Sequence, residues 1–265
     1  MSVKKIGIFF MILSFAEISS ASMWGKIKNA INNCKYSQEE YMEAVKTEMS
    51  RTDHLPEYFS GAFSDSDFKG KPWINDFRYV IVVNKSSVGP SAQTMRVYEN
   101  GRLIRRVKVS TGREGFELRR KKPVCTGAPF QSYWSQTPTG FYTPKFLSRY
   151  HVSSSWDADM PFAIFYDVEN GLALHQVSPK YENLLGRRAS GGCTRQDSVT
   201  AEEMFNRVAV TEGATIPMID VSGNPVLTDS GAVRYINKQI VQNQETGELV
   251  RYSTYSALII VEDVN

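Results

Sequence analysis

Cysteine and histidine are scarce in this 265-residue chain, with three of each. His54, His151 and His175 are scattered, no Cys-x-x-Cys or His-Glu-x-x-His occurs, and the carboxylates show no ligand spacing. The sequence therefore implies no metal centre. No glycine-rich phosphate loop stands ahead of a helix, and the chemistry expected below uses no cofactor. Charge of one sign is lacking too: 31 Lys and Arg against 28 Asp and Glu leave a formal +3, too little to imply a nucleic-acid partner. Beyond the first twenty or so residues no run is long and apolar enough to span a membrane. No repeat of solenoid period is present.

What is there begins with a secretory pattern. Lys4 and Lys5 form a charged start, Ile6 to Ala16 an apolar run closed by Glu17, and Ser19-Ser20-Ala21 a small-residue cleavage site. Residues 1–21 read as a signal peptide, so the chain is expected to be exported to the periplasm or cell wall, with no stable membrane insertion after signal removal. No cysteine at the cleavage site suggests a lipoprotein anchor. Oligomeric state is not readable.

Cys34, Cys125 and Cys193 all follow the signal. In an oxidising compartment an odd count leaves one thiol unpaired or paired to another chain. If Cys193 stays free for chemistry, Cys34–Cys125 is the only bridge available within the chain.

Cys193 stands in Ser190-Gly191-Gly192-Cys193-Thr194-Arg195, downstream of His175. A thiol near its reference pKa of about 8.5 is mostly protonated at neutral pH and needs a base or a positive field to react. His175 is the obvious base. The two glycines leave backbone N–H groups uncrowded, as an oxyanion site requires. Without the histidine, a lone cysteine in a glycine turn reads equally well as a small buried thiol.

Ser37 and Glu40 have capping-box spacing, and Tyr41, Met42, Val45 and Met49 share one face, predicting a helix that ends near Ser50. Pro56 and the Gly/Ser/Asp-rich run Ser60 to Gly70 read as a linker, so residues 22–74 form a helical N-terminal segment and linker. Short strands follow: Tyr79 to Val83, Gln93 to Glu99, an Asn100-Gly101 hairpin turn, and Leu103 to Val109. Phe162 to Asp167 and Gly171 to Leu174 lead into His175. Ser198 to Val210 reads as a helix that Ser198 can cap, and Ala214 to Val221 as a strand. From 222 to 265, Ile236 to Val241, a turn at 245–248 and Leu249 to Val261 predict a terminal hairpin extension.

His175, residues 176–189, and then the Ser-Gly-Gly-Cys-Thr-Arg run resemble the signature of the YkuD-type L,D-transpeptidases, bacterial cell-wall enzymes with a catalytic cysteine. Thr137-Pro138-Thr139-Gly140-Phe141-Tyr142, Val109-Ser110-Thr111-Gly112, Met160-Pro161-Phe162 and Leu185-Gly186 resemble further family segments in the same order. The likeness covers residues 75–221. It implies a mainly β fold, a mixed β-sandwich or barrel with a short helix after the cysteine. Gly191 departs from the pattern, since the family usually has His or Asn there.

The resemblance further implies that Cys193 attacks peptidoglycan tetrapeptide stems at the L-centre of the diamino acid and releases D-alanine. His175 would take the thiol proton on Nδ1 or Nε2, the carbonyl of Gln176 would fix its tautomer, and the amides of Gly191, Gly192 and Cys193 would hold the oxyanion. Arg195 either orients a substrate carboxylate or braces the turn. Ser190 is grouped with the substrate contacts, although fixing the turn is its simpler role. Tyr133 and Trp134 either line a substrate groove or fill a satellite core. The basic run Arg102 to Lys122 either steers wall polymers or is a solvated strand face. An amine acceptor would make the protein a transpeptidase, water an L,D-carboxypeptidase, and loss of chemistry an idle peptidoglycan-binding domain. A papain-like neighbourhood around the cysteine is absent, which disfavours an unrelated Cys-His peptidase.

Thiol titration of the denatured, unreduced protein should return one thiol, Cys193. Three reactive thiols would remove the Cys34–Cys125 bridge.

Overall fold

The structure, a computed structural model, describes residues 39, 40, 43, 46, 54–120, 130–153, 156–242 and 247–265. The segment read as a signal peptide, Cys34 and Cys125 lie outside the described residues. So does most of the helix expected to end near Ser50, of which residues 39, 40, 43 and 46 are helical.

The strands are β1 (Tyr79–Asn84), β2 (Thr94–Glu99), β3 (Arg102–Lys108), β4 (Phe116–Arg120), β5 (Phe130–Trp134), β6 (Gly140–Tyr142), β7 (Phe146–Ser153) and β8 (Ala158–Asp167). They continue as β9 (Leu172–Gln176), β10 (Thr194–Gln196), β11 (Ile216–Pro217), β12 (Tyr235–Ile236), β13 (Lys238–Gln242), β14 (Leu249–Ser253) and β15 (Ala257–Glu262). Helices are α1 (Asp67–Gly70) and α2 (Ser198–Ala209). The fold is mainly β, as expected, in mixed open sheets rather than a closed barrel.

The chain divides into two compact units. The smaller comprises residues 1–54 and 115–134, and its described strands are the antiparallel pair β4–β5. There Phe116 and His54 pack edge-on against Trp134, and Tyr133 OH donates to Glu117 at 2.7 Å.

The larger unit, residues 55–114 and 135–265, holds a five-stranded sheet in the order β3-β2-β1-β15-β6 and a four-stranded sheet β10-β9-β8-β7. Every residue of β1 and of β15 is buried, which follows from near-continuous apolar runs covered on both faces. One face packs Ile81, Val83, Ile259 and Val261 against Ile164, Leu174 and the apolar stripe Met204, Phe205 and Val208 of α2. The other packs Val80, Val82, Leu258 and Ile260 against Phe63, Trp73, Ile74 and Phe77.

Three expectations change here. Residues 60–70 are no linker: Phe63 is buried, and its ring meets Phe68 and Tyr98 edge-on, because this aromatic-studded segment covers the outer face of the central sheet. Leu249 to Val261 is two strands, not one. β14 pairs with β13 as a hairpin, whereas β15 inserts beside β1 in parallel and β6 in antiparallel pairing. Its uninterrupted Ala-Leu-Ile-Ile-Val run satisfies a two-faced core that an edge hairpin does not offer. Asp197, not Ser198, caps α2, accepting from Thr200 N at 2.9 Å.

One buried cation ties the loops below the sheets together. Lys85, 2% exposed, pairs with Glu57 and, at 3.1 Å, with Glu114. Glu57 also accepts from Gln136 Nε2 and the Thr139 amide, and Glu114 from the Thr137 amide. Burial pushes both carboxyls upward. At Glu57 the bonds from Lys85, Thr139 and Gln136 outweigh it and hold the group low, whereas Glu114 stays raised.

Lys85→Met keeps the stem but leaves Glu114 buried without its counter-charge. The expected loss is about 3 kcal/mol, the lower end for breaking a buried pair because Glu57 remains partly hydrated. Urea denaturation reads it, and an unchanged midpoint would show that the ammonium is dispensable.

Candidate active site

Sheet alternation builds the site. In the parallel pair β9–β10, Thr194 lies opposite Leu174, Arg195 opposite His175 and Gln196 opposite Gln176. Leu172 and Leu174 point into the main core, so Ala173 and His175 take the other face, and on β10 Arg195 shares that face with the preceding Cys193. Cys193 packs there against a cluster of Met160, Ala163, Phe165 and Ala173. His151 stands edge-on to Phe165 on this face, ring centroids 4.8 Å apart.

His175 Nδ1 lies 2.7 Å from the carbonyl oxygen of Gln176. A carbonyl only accepts, so the proton sits on Nδ1 and Nε2 keeps its lone pair. Burial pulls the imidazole down to about 4; the bond to Gln176 opposes this, and the charges of Arg195 and His151 add to it. Burial pushes the Cys193 thiol up to about 11, against the Ala173 amide and Arg195, which both pull it down. Sγ donates to the Gly171 carbonyl at 3.4 Å. Both shifts favour the neutral thiol and the neutral imidazole.

The Ser-Gly-Gly-Cys turn is held from beneath. Ser190 is fully buried; its Oγ donates to the Cys193 carbonyl and accepts from the Gly192 amide at 3.1 Å. Thr137 Oγ1 donates to the Gly192 carbonyl at 2.6 Å and accepts from the Gly112 amide at 2.8 Å. Gly192 has φ +134, and a Cβ there would stand 2.9 Å from the Gln136 carbonyl oxygen, so only glycine fits. The loop from His175 to Cys193 is pinned to the strand end after β3: Gly186 N donates to Val109 O, and Ala189 N and Ser190 N both donate to Thr111 O. Arg195 Nη1 and Arg113 Nη1 both donate to the Ala189 carbonyl.

A sequence model of the YkuD L,D-transpeptidase catalytic domain matches residues 78–226, more than half of the chain. The chain belongs to the L,D-transpeptidase family. No curated protein sequence matches it. Among solved structures, the L,D-transpeptidase from Mycobacterium smegmatis is 13% identical over 70% of this chain and 58% of that one, with a TM-score of 0.39. The one from Xylanimonas cellulosilytica is 16% identical over 69% and 59%, at 0.39. One from Mycobacterium tuberculosis is 15% identical over 71% and 58%, at 0.38. The chain spans under two thirds of the length of these solved chains.

Not every residue expected at the site takes the expected part. Ser190 is a turn brace, since a fully buried hydroxyl engaged on both sides cannot meet substrate. The Gly192 amide is bonded to that hydroxyl, so the turn's donors for an oxyanion reduce to the amides of Gly191 and Cys193. Tyr133 and Trp134 belong to the smaller unit. Of the basic run, Arg105 pairs with Glu203.

Two contributors were not recognised in the sequence. Thr137 was visible within its Thr-Pro-x-Gly segment, but nothing local says that its hydroxyl reaches a carbonyl 55 positions on. Trp156, at the tip between β7 and β8, lies over Gly191: a Cβ on Gly191 would stand 2.7 Å from Cζ2 of the indole. Its only signal was an aromatic residue in a Ser-rich tip.

With the thiol raised to about 11, its protonated form persists through neutral pH, and alkylation of Cys193 by iodoacetamide should accelerate with pH towards that value. A rate that levels off at or below the ordinary thiol range, about 8.5, would show a thiolate already formed.

Proposed function

We propose that the protein is an exported peptidoglycan L,D-transpeptidase in which Cys193 is the nucleophile and His175 its base. The observation that carries this reading is the shared face of β9 and β10, with His175 tied through Nδ1 to the Gln176 carbonyl so that Nε2 is the unprotonated nitrogen.

Nε2 takes the proton of the Cys193 thiol as Sγ attacks the carbonyl carbon at the L-centre of the stem's diamino acid. The amides of Gly191 and Cys193 hold the oxyanion, each such donor being worth about 2.7–4 kcal/mol of barrier. Collapse breaks the C–N bond, D-alanine leaves with the proton from His175, and a thioester remains on Cys193. An acceptor amine then attacks the thioester, the C–S bond breaks, and the amine's proton returns through His175 to the sulfur. Arg195 has no carboxylate partner among the described residues and has donors beyond the one bonded to Ala189. This suits it to a substrate carboxylate.

Purified protein and its Cys193→Ala variant, incubated with a disaccharide-tetrapeptide and D-methionine, test the reading. The wild type should release D-alanine and yield crosslinked dimers or the exchanged stem, and the variant neither. Tripeptide alone would identify an L,D-carboxypeptidase. Absence of any Cys193-dependent product would sink the enzyme reading in favour of an idle wall-binding domain.

A further inference from the structure

The indole of Trp156 occupies the space above Gly191, with Cζ2, Cη2 and Cε2 at 2.7, 3.2 and 3.3 Å from where a Cβ would stand. A side chain at position 191 and the ring in this place exclude one another. The tryptophan is held by its own hairpin: its amide donates to Ser153 Oγ at 3.2 Å, and the Asp157 amide donates to Ser153 O at 2.8 Å. Trp156 is 44% exposed, so it does more than plug a gap. One part of the ring covers the glycine turn, and the rest offers an apolar surface to whatever approaches. Behind the turn, Cys193 is bordered by the apolar cluster of Met160, Ala163, Phe165 and Ala173. The nucleophile thus has apolar material both beneath it and at the edge of its turn.

We propose that Trp156 is a specificity-determining residue for the acyl acceptor, an apolar wall admitted by the bare Gly191 that lowers the access of water to the Cys193 thioester and so favours amines. The proposal rests on the function proposed above. The thioester has two fates. With an amine the C–S bond breaks, a C–N bond forms, and the amine's proton ends on sulfur; with water a C–O bond forms and the products are a carboxylic acid and the free thiol. Both fates share the acyl-enzyme and differ only in the acceptor, so a residue that screens acceptors changes their ratio. An apolar face is a poor host for water, which must give up hydrogen bonds beside it. An amino acid or stem amine brings apolar atoms that gain from the same surface.

The experiment compares wild type, Trp156→Ala, Gly191→Asn and the double variant on a disaccharide-tetrapeptide with D-methionine as acceptor, reading the ratio of exchanged stem to tripeptide. Trp156→Ala should shift that ratio towards tripeptide by about tenfold, a change that a general loss of folded enzyme would not produce. Gly191→Asn should shift it in the same direction by displacing the ring. In the double variant the two effects should fail to add, because both remove the same wall. An unshifted ratio in Trp156→Ala, or additive effects in the double variant, would overturn the proposal. If the wild type releases no D-alanine, the reading of function fails and the acceptor role with it. The wall is then judged by iodoacetamide alkylation of Cys193, which Trp156→Ala should accelerate several-fold and which an unchanged rate would contradict.

Discussion

The buried ammonium of Lys85 is the interaction on which the geometry of the site depends. Taking an ammonium and a carboxylate out of water costs several kcal/mol per ion, and their attraction offsets this only when geometry is good and further hydrogen bonds are made. Here they are made in quantity. Glu57 and Glu114 take up the amides of Thr139 and Thr137 and the side chain of Gln136, and the Lys85 carbonyl receives Gln93 and Arg188. The net contribution to stability is modest, but the arrangement has one solution in space. Thr137 is thereby set so that its hydroxyl meets the Gly192 carbonyl. A charge cluster at the end of β1 thus fixes the turn that presents Cys193.

In the mechanism proposed above, burial of both groups favours proton transfer during attack rather than before it. An imidazole pulled down to about 4 and a thiol pushed up to about 11 share one cause, burial. A thiolate–imidazolium pair would put two charges into an apolar setting, with Arg195 stabilising one and opposing the other. The neutral pair avoids both costs. Under the proposed mechanism, charge appears only as the oxyanion forms, where the backbone amides of the turn are already oriented, so little reorganisation is needed at that moment.

What was legible in the sequence follows from how local each signal is. β1, β2 and the Asn100-Gly101 turn declare themselves through alternation and positive-φ residues, at φ +50 and +72, and the structure keeps them within a residue or so of expectation. β15 was misjudged because an apolar run reads alike in a hairpin and in a sheet centre, and only the vacancy beside β1 decides between them. The segment 60–70 was misjudged because turn residues outnumber the aromatics that bury it. Cys193 and His175 stood out through spacing, whereas the engaged amide of Gly192 could not, since its partner is a side-chain oxygen whose direction follows from a turn the sequence does not draw.

Gly191 shows the same limit from the other side. As a line of sequence it is a departure from the family's signature, a missing polar side chain two positions before Cys193. In space it is one half of a pair, and Trp156, thirty-five positions earlier, is the other. A local rule broken at a functional site is expected to be matched elsewhere in the chain, and the match here changes chemistry as well as volume. A flat apolar ring replaces a group able to donate or accept hydrogen bonds, so the environment proposed to meet the acceptor is drier at that point than the family's usual pattern would make it.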